Sequence, residues 1–449
     1  MTSKSSISRR GVLKAAAAGS AALLGGAAAA AQQGAPAVLT NTQAGRKFRA
    51  LVKFSKDAPT VVEVKVRGIE ARQIVVRTLA AQTCYTNVNE VCLPGAATVS
   101  GTQIEIVGHG GVGIVEAVGP QVIRARVGDL VVVPDWSSCG SCFNCLRMRA
   151  DKCMMRNGTF VPTVDLADGT PVYSSRGGMS ELMIVHEEQA VPIFTDLPAP
   201  ELAMLHCVGN CGLGMSMTNC RVEAASDVVV FGAGPVGLSA IQGARINGAS
   251  RIVSVEPIPY RRELALKLGA TDGVDPNQYK ERVPQSGSPY PKDSLVEHLR
   301  EMCKLKTDRL WAGGARIGPD HIIEAVGGDL VKPKEVQGPD PTGVTVLQQC
   351  WELCSQIGTL VTCSVGQPAG AMVQIPAAQW TDAAKHHWPG TAGGTNCRRD
   401  VPRYVRMMET GQLNMKALAS KTYPLAQARE AYQVAGDRTV VATIVTPNV

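Results

Sequence analysis

Aromatic side chains are scarce in this chain: Phe 6, Trp 5 and Tyr 8 make only 4% of its 449 residues. A small-molecule pocket drawn from the remainder would be aliphatic, with 14 Met available to adapt its shape. A large excess of one charge sign is missing too, with Lys+Arg 45 against Asp+Glu 38. Of the formal +7, four charges belong to Lys4, Arg9, Arg10 and Lys14 in an acid-free stretch, so residues 32–449 carry only +3. So mild an excess argues against nucleic acid as a partner. After residue 31 no apolar run is long enough to cross a bilayer, and there is neither an internal repeat nor a heptad run. What is present, 45% hydrophobic residues with Gly 46 and Pro 27, suits two sizeable cores joined by many tight turns.

Four of the 14 cysteines fall within fifteen residues: Cys139, Cys142, Cys145 and Cys153, in the run CGSCFNCLRMRADKC. This spacing leaves too little chain for mutual disulfides without strain. Four thiolates about 2.3 Å from one zinc ion, by contrast, close a short lobe that needs no hydrophobic core. Two strained disulfides, or free thiols in a loop, are the alternatives.

The N-terminus reads Ser8-Arg9-Arg10-Gly11-Val12-Leu13-Lys14, then an Ala/Gly/Leu stretch from Ala15 to Ala31, then Gln32-Gln33. That is the layout of a twin-arginine export signal, cleaved near Ala31. A membrane anchor is the competing reading, but about 17 residues dominated by Ala and Gly are short and weakly apolar for a span. The expected destination is periplasmic or extracellular. Because this route carries folded proteins, metal and nucleotide can be loaded before the thiols meet an oxidising compartment.

From Arg46, the segments RKFRALVKF and VVEVKVRGIEARQIVVRTLAAQTCY alternate apolar and polar residues, as antiparallel strands do. GIVEAVG, DLVVVP and GMSELMIVHEEQAVPI continue the pattern on either side of the cysteine lobe. From about Val208 the style changes. The apolar run Asp227 to Phe231 opens onto Gly232-Ala233-Gly234-Pro235-Val236-Gly237 and then a helical pattern, which is a strand, a glycine turn and a helix. Glu256 ends the next strand nineteen residues after Gly237, where a carboxylate can accept both hydroxyls of an adenine ribose. This favours NAD over NADP, although Arg261 and Arg262 keep the second open. Further β and α units alternate to Gly366, implying a doubly wound parallel sheet. The expected organisation is a signal at 1–31, a β domain at 32–208 with the lobe at 139–153, a nucleotide domain at 209–392, and a return to the first domain at 393–449. Asn277 to Pro319 and Gly327 to Thr342 look like insertions.

The ordered set Cys84-Tyr85-Thr86, Gly108-His109, the cysteine lobe, Cys207 with Gly212 and Gly214, and GAGPVG resembles the zinc-dependent medium-chain alcohol dehydrogenases, from roughly Arg46 to Val449. The resemblance implies a GroES-like β domain plus a Rossmann domain, an α/β fold with two zinc ions and NAD. It assigns the catalytic zinc to Cys84, His109 and Cys207, with the fourth position open, and keeps Cys211 as the fallback for Cys207. It gives Thr86 the alcohol's proton and places the cofactor against Gly232, Gly234, Pro235, Val236, Gly237 and Glu256. Arg438 would hold the pyrophosphate, Arg261 the adenosine ribose, and Trp388 to Gly393 the nicotinamide amide. The implied activity is hydride transfer between a small alcohol and NAD to give an aldehyde or ketone, by a homo-oligomer, dimer or tetramer. Other readings are a nicotinoprotein that re-oxidises retained NAD in place, a non-catalytic zinc and nucleotide binder, and reduction of an activated double bond. The Gly327 to Thr342 insertion favours the first of these, because it resembles the extended segment of glutathione-independent formaldehyde dehydrogenases.

Four positions depart from the family pattern. Asn87 and Gly110 replace two carboxylates that support the metal shell, so the zinc should be more electrophilic and more easily stripped. Asn87 is expected to hold the His109 ring by a hydrogen bond, and Asp135 to restore some charge. Asn89 stands where many relatives relay the proton through histidine, and Tyr85 where many bind phosphate with a basic residue.

Overall fold

The computed structural model describes residues 39–448 apart from residues 56, 97–103, 155–161, 175, 280–291, 305–317, 364 and 391. The expected export signal and most of the insertion between Asn277 and Pro319 therefore lie outside the described residues. Within that insertion, Leu295–Met302 is a helix whose first turn is capped by Ser294 Oγ accepting from the Glu297 amide at 3.3 Å.

In the N-terminal half, β-branched residues at alternate positions build antiparallel sheets. The long strand β1 (Gln73–Gln82), in a seven-stranded sheet, is followed by the short helix α1 (Tyr85–Cys92). Strand β2 (Gly111–Val118) pairs antiparallel with β1 and with β3 (Leu130–Val133), and β4 (Leu182–His186) covers another part of β1. A five-stranded sheet around Lys47–Phe54 lies alongside, with Lys47 and Arg49 exposed and Phe48 and Ala50 buried, as period-two patterning requires. After β4, helix α2 (Val208–Gly214) leads into the second half.

There β5 (Asp227–Phe231) is buried at all five positions, which explains its unbroken apolar run: both faces of a parallel sheet are covered. Helix α3 (Pro235–Ile246), β6 (Arg251–Val255), β7 (Asp272–Val274), β8 (His321–Glu324), β9 (Thr359–Thr362) and β10 (His386–Pro389) complete it. The spatial order is β7-β6-β5-β8-β9-β10, all parallel. The order reverses between β5 and β8, and a crevice opens at such a point beyond the strand ends. The chain then returns through helix α4 (Ala428–Asp437) to β11 (Ala442–Thr446), which pairs with the end of β1 at Gln82, just before Cys84. This is the expected GroES-like domain joined to a Rossmann sheet. Among the described residues no helix is long and apolar enough to cross a membrane.

Candidate metal centres and nucleotide cleft

Cys84 ends the chain's run out of β1 and stands at the N-terminus of α1, His109 sits in the turn before β2, and Cys207 stands at the N-terminus of α2. Their ligand atoms all lie within 4.8 Å of one another. Cys84 Sγ and Cys207 Sγ are 3.8 Å apart, the edge of a tetrahedron whose centre is about 2.3 Å from each sulfur. The Cys207 thiol holds Cys84 well below its ordinary pKa against the push of burial, with His109 and Thr86 helping. Cys207 is correspondingly raised. Thr86 Oγ1 lies 3.5 Å from Cys84 Sγ on the first turn of α1.

The lobe satisfies the same test. Its four sulfurs also lie within 4.8 Å of one another, with Cys139 and Cys145 Sγ 3.9 Å apart. Backbone N–H groups of Ser141 and Cys142 point at Cys139 Sγ at 3.4 and 3.3 Å, and those of Cys145 and Met154 at Cys142 Sγ at 3.5 Å. Against burial, the Met154 and Cys145 amides draw Cys142 down to about 6. No disulfide joins any of the cysteines. Both donor sets therefore fit zinc.

The surroundings of the cleft trio differ from expectation in three ways. The Asn87 amide does not reach His109: it donates from Nδ2 to Glu90 Oε2 at 2.7 Å, and its Oδ1 has no partner among the described residues. Gly110 has φ +130°, and a Cβ there would run into the Val133 carbonyl oxygen, so no side chain fits the position of the missing carboxylate. His206, which the sequence reading missed, fills that neighbourhood. It is 1% exposed, its ring centroid is 5.6 Å from that of His109, and burial followed by His109 lowers it to about 4, leaving it neutral. Its only advance sign was its place next to Cys207. Asp135 does act on His109, raising its pKa against burial, but it is also ion-paired to Arg176 at 2.9 Å, so the charge it restores is shared. Cys211 is one turn beyond Cys207 with its Sγ turned to the Gly390 carbonyl oxygen at 3.4 Å, outside the trio.

A cleft of about 370 Å³ opens beside Cys84 and Thr86 and runs past the glycine turn to Glu256. Gly232, with φ +90°, could not carry a Cβ without meeting Ala325 O at 2.8 Å. Gly237 does not face the cleft; a Cβ there would strike Gly232 O, so it serves the close packing of α3 on the turn. At Gly234 a Cβ would meet only Arg261 Nη1 at 3.9 Å, which leaves an open cradle at the uncapped N-terminus of α3. Pro235, Val236 and Arg261 line the same space. Glu256 is buried and already accepts from the Ala233 amide at 2.6 Å and the Ile258 amide at 3.0 Å, so each oxygen keeps one lone pair for a ribose hydroxyl. Arg262 is turned away, to Asp275 and the carbonyls of Glu256 and Pro257. Arg438, in a left-handed turn after α4, also lines the cleft, but its guanidinium is held by Asp329 and by Tyr85 Oη at 3.2 Å. Asp329 escaped the sequence reading, since it faces Arg438 across 109 residues of chain. Of Trp388 to Gly393, residue 391 lies outside the described residues, and Gly390 O accepts from Cys211. Asn89 Oδ1 is buried without a partner among the described residues.

Residues 70–195 match the alcohol dehydrogenase GroES-like domain model and residues 235–334 the zinc-binding dehydrogenase model, together about half of the chain. The chain is 26% identical over 415 residues to S-(hydroxymethyl)glutathione dehydrogenase of Haemophilus influenzae, covering 89% of this chain and 97% of that protein. It is 27% identical over 401 residues to alcohol dehydrogenase class-3 of Cereibacter sphaeroides, covering 86% and 96%. Benzyl alcohol dehydrogenase from Acinetobacter calcoaceticus has the same fold, with a TM-score of 0.70 at 23% identity over 89% of this chain and 99% of that one.

Proposed function

This chain belongs to the zinc-dependent medium-chain alcohol dehydrogenase family, and from that premise we propose that Cys84, His109 and Cys207 hold its catalytic zinc beside NAD in the cleft. The protein is an oxidoreductase that transfers a hydride between an alcohol and NAD. The observation that carries the residue assignment is the convergence of the three donors beside a cleft that Cys84 lines and that runs past the glycine turn. Bound there, zinc supplies Lewis acidity to an alcohol oxygen and the dinucleotide supplies the hydride acceptor. The chain's own residues do the rest. Thr86 takes the proton from the alcohol, Gly234 and α3 receive the pyrophosphate, Glu256 takes the ribose hydroxyls, and Arg438 offsets phosphate charge. Arg261 joins it: a Cβ on Gly234 would stand 3.9 Å from its Nη1, so it serves the pyrophosphate cradle rather than the ribose that the resemblance implied. Cys139, Cys142, Cys145 and Cys153 hold the second zinc.

Three further elements belong to the proposal. Residues 1–31 direct export. The exposed edge strand β10 supports self-association, since an unpaired edge is a template for another copy. Retention of NAD is a second reading, favoured by Gly327, Asp329, Gly338, Pro339 and Asp340 of the inserted segment, which line the cleft. Zinc and nucleotide analysis of gently purified protein tests these assignments, followed by assays of ethanol, benzyl alcohol and S-(hydroxymethyl)glutathione with NAD or with an artificial electron acceptor. Two zinc ions per chain and alcohol-dependent NAD reduction are expected. One zinc, or activity untouched by Thr86→Ala, contradicts the assignment. Bound NAD after purification separates retention from exchange.

A further inference from the structure

The segment from Gly327 to Thr342 leaves the end of β8 and returns to the helix Val344–Leu353 through a narrow neck. Gly327 and Gly343 both have positive φ, 73° and 71°, and a Cβ on Gly343 would stand 2.5 Å from Gly327 O. Between these ends the segment grips the other half of the molecule. Tyr85 Oη donates to Val331 O at 3.5 Å, and the amides of Lys334 and Glu335 donate to Asp437 O at 3.2 and 3.3 Å. The Lys334 ammonium lies 2.7 Å from Asp437 Oδ2, and Val331 is buried in a cluster with Val88 and Tyr432. It is a strap across the cleft, not a loose loop.

Its most consequential contact is Asp329 on Arg438. The ion pair is largely buried, with side-chain exposures of 7% and 14%. Asp329 is itself held, its amide donating to Pro341 O at 2.6 Å and its Oδ2 accepting from Gln337 Nε2 at 3.2 Å. Arg438 shares one cleft with the open cradle at Gly234, the N-terminus of a twelve-residue helix and the Arg261 guanidinium. A helix N-terminus with two guanidiniums is an anion site, and a pyrophosphate is the dinucleotide's anion. One of its two cations is already neutralised from within.

We propose that Asp329 is a built-in competitor for the cofactor's pyrophosphate: it holds Arg438 while the cleft lacks nucleotide, and the strap must yield that contact before the pyrophosphate can take it. The inference rests on the NAD reading of the cleft. Nucleotide entry exchanges a carboxylate–guanidinium pair for a phosphate–guanidinium pair and leaves Asp329 to Gln337 and solvent. The apparent affinity falls by the fraction of molecules whose strap is released.

The test uses the full mature protein and two probes, ADP-ribose, which carries the pyrophosphate, and adenosine, which does not. Asp329→Asn removes the competing charge but keeps a side chain that can accept from Arg438. It should bind ADP-ribose about tenfold more tightly than wild type and adenosine equally well. Unchanged or weaker ADP-ribose binding, or an equal gain for adenosine, overturns the proposal. If the variant does not fold, association rates on wild type decide. For ADP-ribose the observed rate should level off with ligand concentration at the rate of strap release, while adenosine stays linear. Linear rates for both overturn it. If wild type and variant bind adenosine but neither binds ADP-ribose, the dinucleotide reading of the cleft fails first, and the competitor with it.

Discussion

The four-cysteine lobe draws every ligand from the fifteen residues Cys139 to Cys153, whereas the cleft trio reaches from Cys84 to Cys207 and needs three separate elements to meet. In the lobe, backbone amides aim at sulfur from one turn away, and four thiolates over-neutralise a divalent ion. In the cleft, two thiolates and a neutral imidazole would only just match the ion's charge, and the positions where the resemblance implies supporting carboxylates hold Asn87 and Gly110. One centre is closed and locally determined. The other is open, and its geometry depends on how α1, β2 and α2 are packed.

If the contrast is real, the two centres fail independently. Cys84→Ala should cost about 5 kcal/mol of transition-state stabilisation, on the order of 10⁴-fold in kcat/KM, while metal analysis still finds the lobe zinc. Thr86→Ala should lower kcat by about a hundredfold with both zinc ions retained, because a positioned proton acceptor is lost and no ligand is. Dialysis against a mild chelator should strip the cleft ion roughly 10- to 100-fold faster than the lobe ion, the range expected when outer partners of a ligand are missing. Equal release rates would erase the distinction. The smallest effect concerns the cleft's far end. Gly234→Ala should weaken NADH binding by about tenfold, read by fluorescence titration, without changing zinc content, since its Cβ meets only Arg261 at 3.9 Å.

The same contrast explains what could be read in advance. The lobe and the glycine turn were legible because their chemistry is local: three-residue spacing of thiols, and a turn between an apolar strand and a helix. The trio needed the order of motifs along the chain, since no spacing brings Cys84 to Cys207. Helix α1 gave little warning, because YTNVNEVC is rich in Thr, Val and Asn and has no side-chain N-cap. Without that helix, the three-residue step from Asn87 to Glu90 is invisible, and Asn87 was assigned to His109 instead. Gly110 is glycine because of a carbonyl on the neighbouring strand β3, and Asp329 matters because of an arginine far along the chain. Neither contact leaves a trace in local sequence.

Anomalous scattering at the zinc absorption edge from crystals of the zinc-replete protein tests the central claim most directly. Two peaks per chain are predicted, one among the four lobe sulfurs and one about 2.3 Å from Cys84 and Cys207 Sγ with His109 as third ligand. A single peak in the lobe, with the cleft trio bare in zinc-replete protein, would contradict the account.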